Sequence, residues 1–351
     1  MQIKFFGIFA AMDSLTQIVL GAACGEIALG KKIGNKALLF GAIGGTIPDL
    51  DVFLGNLFYS NSIDQMMFHR GFMHSIAFAF IASFSFGWLV HKFYNSGIRL
   101  NTTIRKDWIW LFFLSIFTHP ILDCFTPYGT QLFAPFSDYR VAFNNISVAD
   151  PIYTLPFLIC LIVVLFIKRE NPKRLKWTKA GIYLSSAYML FTIGNKLYMN
   201  SVFKKSFDKA GIEYNRFRAQ PTILNNALWY GIAETNTDYK VTYYSIFDKS
   251  STANNIISVP KNFSLLQMSE FDLQKLTWFS DQYYMVETKE IPSKIIYNDL
   301  RYLMLNSKDS ITPVMSLELK KEGSRWTTKP YTNFNISKGF LNRFWTRLKG
   351  I

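Results

Sequence analysis

Residues 72–93, FMHSIAFAFIASFSFGWLVHKF, decide the fold, because they form an apolar run long enough to cross a lipid bilayer. A transmembrane helix needs about 20 mostly apolar residues. Trp88 and Tyr94 lie near the end of this run, where the bilayer interface favours aromatic rings. Similar runs occur at residues 15–30, 37–58, 108–124, 152–168 and 180–197. Residues 1–197 are therefore predicted to form an α-helical integral membrane domain of about six transmembrane or interfacial helices.

Residues 198–351 differ in composition and are predicted to form a separate α+β domain. The 351-residue chain is 50% hydrophobic, but charged, Asn, Ser and Thr residues are interleaved throughout this second part. Residues 239–247 and 283–288 have strand character, and residues 293–305 fit either a strand or a helix. Residues 338–349 place apolar side chains at helical spacing among Arg and Lys, which predicts a basic amphipathic helix. That helix would lie on a membrane surface or pack on its own domain.

The net charge of +14 is concentrated in loops beside the apolar segments. Lys and Arg are frequent at residues 31–36, 91–107 and 168–179, whereas 59–71 and 125–151 contain one Arg each. The positive-inside rule makes the three basic loops cytoplasmic in a multi-pass protein of a bacterial-type inner membrane. The C-terminal domain is then extracytoplasmic. This pattern fits contact with an anionic lipid bilayer, and no nucleic-acid partner is expected.

Three of the four histidines lie at the ends of apolar segments, close to acidic residues. His119 and Asp123 are four residues apart, so they share one face of a helix and either bind one metal ion together or simply hydrogen-bond. His69 and His74 are five apart, about 140° on an ideal helix. Gly71 between them indicates that His69 lies in a loop and His74 at a helix start, so both can point at one place. His91 falls at the other side of the membrane and is not counted among the predicted site residues.

A second acidic group follows a break in an apolar segment, at Gly44-Gly45-Thr46-Ile47-Pro48-Asp49-Leu50-Asp51. An ionised Asp at the bilayer centre costs about 2.5–3.5 kcal/mol, so Asp49, Asp51 and Asp123 together cost on the order of 10 kcal/mol if uncompensated. A divalent cation with histidine co-ligands would compensate them. The predicted topology brings these carboxylates and the three histidines to the outer ends of their segments.

The segment 13–17 has two readings. Ser14 and Gln17 have the spacing of a helix capping box, whereas Asp13 or Gln17 would alternatively complete the metal site. The preceding apolar run at 4–11 resembles a weak signal sequence with a poor cleavage pattern, and it is expected to stay attached.

Several short motifs occur in order along the first 200 residues. They are MDSLTQIVLGA at 12–22, IPDLD at 47–51, HRGFMHS at 69–75, THPILD at 118–123 and FSDYR at 136–140. Together they resemble the YdjM-like family of predicted membrane-bound metal-dependent hydrolases. That family is distantly similar to the zinc-dependent phospholipase C and P1 nuclease group, whose helices supply Asp and His ligands. The resemblance covers roughly residues 12–200 and leaves residues 198–351 unassigned.

The resemblance implies a set of site residues and a divalent metal ion, with zinc preferred. Asp51 would be a ligand or the group that orients a bound water, and it is predicted to be catalytic together with Asp13. Family members often have a His where this chain has Gln17, a poor ligand for transition metals. Either fewer metals are bound or Asp13 serves instead. The implied ligands are Asp49, His69, His74, His119 and Asp123.

The resemblance further implies a hydrolase that acts on a phosphoester or lipid-linked substrate, such as a phospholipid, at the outer face of the membrane. Asp138 and Arg140 would position an anionic substrate, or alternatively form a surface ion pair. Two other functions stay open. Buried carboxylates and a broken helix also mark transporters or ion-coupling proteins. A metal site closed by four protein ligands would indicate a non-catalytic, metal-stabilised anchor or sensor.

Overall fold

The computed structural model describes residues 3–262, 266–267, 269–289, 294–307, 310–331 and 339–351. A helical part extends from Ile3 to Lys209, and two four-stranded antiparallel sheets follow it. This order confirms the predicted helical first part and the sheet-containing second part. The last helix of the first part continues across residue 197, where the domain boundary was predicted.

Each predicted apolar segment coincides over most of its length with a helix or a bent pair of helices. The helices of the first part are α1 (Ile3–Ile33), α2 (Asn35–Thr46), α3 (Asp51–Phe58), α4 (Ser62–Phe68), α5 (Ile76–Tyr94), α6 (Arg105–Asp123), α7 (Pro151–Leu165) and α8 (Lys173–Lys209). Short 3₁₀ turns at Pro48–Leu50 and Phe72–His74 precede α3 and α5.

Among the described residues, α5 is the one helix that is both long and apolar enough to cross a bilayer. The pair formed by α2 and Pro48–Phe58 passes the same criteria together, with a bend of 45° at the break. Helix α7 is apolar but has only 15 residues. The prediction of about six membrane-crossing helices therefore stays a prediction.

Helices α1 and α2 approach each other closely because glycines face glycines. A Cβ added at Gly41 would lie 2.2 Å from the Gly21 carbonyl oxygen and 2.8 Å from the Gly25 Cα. A Cβ at Gly45 would lie 2.5 Å from the Gln17 carbonyl oxygen. Small residues permit this kind of backbone contact between helices in membranes. This packing fixes the position of the α2 C-terminus relative to α1, just before the break at Pro48.

The basic loops meet at the opposite end of these helices. Lys32 contacts Asp107 at 2.5 Å, and the Arg169 guanidinium donates to the Lys32 carbonyl oxygen. Just inside, Arg174 donates to both carboxylate oxygens of Glu26 at 2.7 and 2.6 Å, and both side chains are buried. This ion pair was not anticipated from the sequence. It compensates an acidic group that α1 would otherwise bury alone.

The second part consists of two antiparallel meanders with strand orders β1-β2-β3-β4 and β5-β6-β7-β8. Strand β3 contains most of the predicted strand 239–247, and β5 contains the predicted strand 283–288 from residue 284 onward. The ambiguous segment 293–305 is a strand, β6, from residue 294 onward. The strands are β1 (Arg216–Pro221), β2 (Leu228–Glu234), β3 (Asp238–Ser245), β4 (Ile256–Pro260), β5 (Tyr284–Lys289), β6 (Lys294–Ser307), β7 (Ser310–Glu322) and β8 (Arg325–Pro330).

Two helices accompany the sheets, α9 (Phe271–Phe279) and α10 (Phe340–Leu348). Phe344 and Leu348 of α10 pack against the core that the two sheets share. The helical tail predicted at 338–349 is therefore confirmed from residue 340 onward, and one face packs on its own domain. Leu341 and Trp345 on the other face are exposed, which leaves contact with a membrane surface as a prediction.

Helix α4 joins the two parts of the molecule. Its Ile63 is completely buried among Leu273, Leu276 and Trp326 of the sheet part. Its neighbour Asp64 accepts hydrogen bonds from Lys275 and Arg325. Because α4 lies in the chain between Asp51 and His69, the sheet part holds the segment that carries two predicted site residues.

Candidate metal centre

Asp49, His74 and His119 come together although they lie far apart in the sequence. Their ligand atoms all lie within 4.8 Å of one another. The Asp49 Oδ1 atom is 3.4 Å from Nε2 of each histidine. Atoms that bind one ion at about 2.1 Å are separated by about 3.4 Å at a tetrahedral angle. The spacing of these three residues therefore fits a shared metal ion.

Asp123 faces the same two histidines. Its Oδ2 atom is 3.5 Å from Nε2 of both His74 and His119. This oxygen and the two Nε2 atoms are buried, and none has a hydrogen-bond partner within the described parts of the chain. Buried polar atoms without partners are rare in native structures. A cation between them satisfies all three, so the residues fit a divalent metal ion.

His119 is held in the tautomer that a ligand requires, and His74 contacts a carboxylate on the side of its ring away from the cluster. The Nδ1 atom of His119 is 2.6 Å from the Gly45 carbonyl oxygen, which can only accept a hydrogen bond. The Nδ1 atom of His74 is 3.1 Å from a carboxylate oxygen of Asp51. The Nδ1 atom of His119 therefore carries the proton, whereas the contact of His74 Nδ1 with Asp51 lacks hydrogen-bond geometry. The Nε2 atoms of both histidines face the cluster. Partners of this kind commonly fix the orientation of metal-binding histidines.

Asp51 lies behind the histidines rather than beside the shared cation position. One carboxylate oxygen is 2.8 Å from His69 Nδ1, and the other accepts from the Arg70 backbone N–H at 2.9 Å. With His74 as a third contact, Asp51 orients two imidazoles. His69 stands outside the group of three, with its ring centroid 5.7 Å from that of His74. Burial lowers the pKa of His69, which keeps its imidazole neutral at pH 7.

Arg70 connects Asp13 to the cluster, a role that the sequence analysis did not give it. Its Nη2 atom donates to Asp13 at 2.8 Å, and its Nε atom lies 3.3 Å from Asp123 Oδ2. The guanidinium also lies over the ring of Tyr128, 4.7 Å from the centroid. A single Arg in a loop otherwise free of basic residues was the available indication. Asp13 thus contacts the site through Arg70.

The capping-box reading of Ser14 and Gln17 is wrong, because both residues lie within α1 rather than at its start. The amide of buried Gln17 instead donates to Asp123 Oδ1 at 3.0 Å and to the His119 carbonyl oxygen at 3.3 Å. Gln17 therefore positions the α6 residues of the site. Its amide nitrogen faces Asp123, so the amide acts as a donor there.

Asp138 and Arg140 do not form the surface ion pair that was one of their two readings. In the described structure the Arg140 guanidinium donates to the Gly129 carbonyl oxygen and makes no ion pair with Asp138. Asp138 is exposed. Arg140 packs its guanidinium over Tyr128, Trp278 and Phe279, at 5.1 to 5.5 Å from the ring centroids. Burial lowers the pKa of Arg140 to about 10, which still leaves it charged at pH 7. Their role in substrate binding stays a prediction.

A cleft of about 250 Å³ opens beside the site, between the helical part and the sheets. Asp13, His69 and Arg70 line the end near the metal centre, and residues of β6 and β7 line the opposite wall. Sequence reasoning missed this cleft, because the residues at its end near the metal centre are more than 200 positions from those of β6 and β7 on the opposite wall.

The chain is similar to known bacterial proteins. The model of the family described as YdjM inner membrane protein matches residues 12–201. The uncharacterized protein YfhP of Bacillus subtilis is 30% identical over 159 residues, which are 43% of this chain and 46% of YfhP. The inner membrane protein YbcI of Escherichia coli is 33% identical over 123 residues, 33% of this chain and 64% of YbcI. The chain thus spans less than two thirds of either relative, and no solved structure matches it.

Proposed function

The chain belongs to the YdjM family of inner membrane proteins, and we propose that it acts in the inner membrane as a metal-dependent hydrolase. Membership supports the predicted location in the inner membrane. One observation carries the proposal of a metal. Three buried ligand atoms converge at the cluster, and none has a hydrogen-bond partner among the described residues. They are Nε2 of His74, Nε2 of His119 and Oδ2 of Asp123. Nitrogen and carboxylate ligands of this kind suit zinc, which we take as the preferred ion.

A divalent ion at this position would supply Lewis acidity and activate water for hydrolysis. The chain also positions a histidine, His69, for proton transfer. Asp51 contacts His69 Nδ1 at 2.8 Å, so Nε2 is the ring nitrogen that can take or give a proton. His69 lines the cleft, where a substrate would lie beside the cluster. This pairing of a carboxylate with an imidazole is typical of general acid–base catalysis.

The proposed substrate is a phosphoester at the outer face of the membrane. Arg70 lies next to Asp123 and lines the cleft, and the guanidiniums of Arg70 and Arg140 both lie over the Tyr128 ring. Guanidinium groups recognise phosphate through paired N–H donors. A phosphoester headgroup would therefore meet positive charge as its ester bond approaches the cluster.

A structural metal site is the second candidate, because Asp123 would close the coordination sphere as a fourth protein ligand. Catalytic sites keep an open position, whereas structural sites are filled by protein. Asp123 also contacts Arg70 and Gln17, and Asp49 is the partly exposed member of the cluster, with 29% of its side chain accessible. Access from the side of Asp49 favours the catalytic reading.

Metal analysis of the purified full-length protein, together with phosphodiesterase assays, tests the proposal. His119→Ala removes a ligand, whereas His91→Ala makes the same change at the one histidine outside the site. We expect bound metal in the wild type and in His91→Ala, with at least a tenfold loss of metal and of hydrolysis in His119→Ala. A wild type without metal, or unchanged hydrolysis in His119→Ala, would refute the proposal. Bound metal without hydrolysis of soluble or lipid phosphoesters would establish the structural site instead.

A further inference from the structure

The cleft beside the metal centre changes in character along its length. Its inner end carries Asp13, His69 and Arg70, all of which contact the cluster or its supporting residues. The apolar part of the lining comes mainly from the sheet part, with Ile223, Leu303, Val314 and Met315. A space that is charged at one end and apolar at the other fits an amphiphilic molecule better than a soluble polar one.

The charged end is built to meet an anion. The guanidiniums of Arg70 and Arg140 lie over the ring of Tyr128, at 4.7 and 5.1 Å from its centroid. Arg301 donates to the Tyr128 backbone carbonyl oxygen at 3.1 Å. Arg70 is paired with Asp13 and Arg301 with Asp299, whereas Arg140 has no carboxylate contact in the described structure. One positive charge near the inner end of the cleft is therefore not compensated by the chain itself.

Two buried groups next to the cleft have hydrogen-bonding capacity that the described residues do not use. The Nε and Nη1 atoms of Arg140 have no hydrogen-bond partner there. The hydroxyl of Tyr302, which lines the cleft, is likewise buried and unpartnered. Buried donors of this kind normally have a partner in native structures. Arg140 lies over the Tyr128 ring and Tyr302 lines the same cleft as Tyr128, so one anionic ligand there is their natural partner.

We propose that the cleft binds the apolar chain of a lipid phosphoester, with its phosphate at Tyr128 and the arginines and its chain against β6 and β7. The sheet part then supplies the wall that distinguishes a lipid from a soluble phosphoester. The inference rests on the proposed function only for the hydrolysis step, because binding of the chain does not require cleavage. Residues 198–351 thereby gain a role that the family motifs of the helical part leave open.

A photoreactive alkyl phosphonate tests the binding directly, since its carbon–phosphorus bond resists hydrolysis. The probe is a twelve-carbon phosphonate with a diazirine in the middle of the chain, added to full-length protein in phosphatidylcholine nanodiscs. We expect labelling of the peptides that contain Leu303 and Met315. Excess unlabelled dodecylphosphonate should suppress that labelling at least tenfold, whereas butylphosphonate at the same concentration should not. Absence of label on β6 and β7, or equal competition by both phosphonates, would overturn the proposal.

Matched tryptophan variants test the position of the chain. Ile223→Trp and Met315→Trp fill the cleft at partly exposed residues, whereas Ile257→Trp makes the same change at a partly exposed residue of β4 outside it. We expect at least tenfold less labelling in both cleft variants and wild-type labelling in Ile257→Trp, at matching thermal unfolding midpoints. Full labelling in folded cleft variants would refute the assignment. The competition by chain length needs no variant, so it decides the matter if the substitutions unfold the protein.

The two proposals can fail separately. Specific labelling of the cleft in a protein that holds no metal and cleaves no phosphoester would sustain lipid binding and end the hydrolase proposal. Cleavage of a short-chain phosphoester without labelling of β6 and β7 would do the reverse.

Discussion

The substitution Ile63→Ala tests whether the sheet part holds the metal centre in place. Ile63 lies on α4, between Asp51 and His69 in the chain, and its side chain is completely buried in the sheet part. If the anchor is removed, α4 should separate from the sheets more often. The contact between Asp51 and His69 should then lose its fixed geometry, although neither residue is changed.

The expected magnitude follows from the atoms removed. Ile→Ala deletes three carbons, and at about 0.8 kcal/mol per buried methylene the transfer contribution alone is roughly 2.4 kcal/mol. A cavity adds to this, and measured losses for such changes in cores are about 2–5 kcal/mol. Since about 1.4 kcal/mol corresponds to a factor of ten, the docking equilibrium of α4 should fall by roughly 30-fold or more.

Hydrogen exchange of the peptide that spans residues 59–69 measures this docking in the full-length protein. We expect at least tenfold faster exchange there in Ile63→Ala, with little change in the helices α1 and α6. Ile98→Ala is the control, because Ile98 is fully exposed and the same deletion should have no effect. Equal exchange of the 59–69 peptide in wild type and Ile63→Ala would refute the idea that the sheet part holds α4.

Two further predictions concern the same contacts. Burial raises the pKa of Asp64, but hydrogen bonds from Lys275 and Arg325 outweigh it and hold that pKa below its ordinary value. Asp64 therefore stabilises the folded state above pH about 4, and this contribution is lost as the pH falls through the lowered pKa. Asp64→Asn should lower the unfolding midpoint more at pH 7 than at pH 3, and an equal shift at both would contradict the reasoning. Gly45→Ala should lower the free energy of unfolding by about 1–3 kcal/mol, because the added methyl group overpacks against Gln17. It should also reduce bound metal in the purified protein. A wild-type metal content would argue that packing between the helices does not support the site.

The helices and several strands could be predicted from local patterns. Apolar runs of membrane length, such as 72–93, correspond to helices, and the β-branched and aromatic segments 239–247 and 283–288 correspond to strands. Segment 293–305 stayed ambiguous because a strand buried on both faces lacks alternation. Antiparallel pairing with its sequence neighbours β5 and β7 decided it.

The site was predicted in part. The proximity of Asp49, His74 and His119 could be predicted, because a membrane segment does not tolerate such residues without a partner. The capping-box reading of Ser14 and Gln17 failed because the helix begins earlier, at Ile3, so that Gln17 faces α6 instead of a helix start. The buried Arg174, which compensates Glu26 of α1, was missed because its loop is rich in basic residues and marks it as one of many.

The sequence by itself determined which residues must find partners, since an Asp or His in an apolar segment carries a large cost unless it is paired. Only the tertiary structure decided which position each of these residues takes at the site. Asp49, His74 and His119 face one another, whereas Asp51 stands behind two histidines and Asp13 acts through Arg70. Spacing along a chain fixes which side chains share a helix face, but the packing between helices fixes which atoms meet. The cleft wall from β6 and β7 has the same origin, because only folding brings it to residues more than 200 positions away.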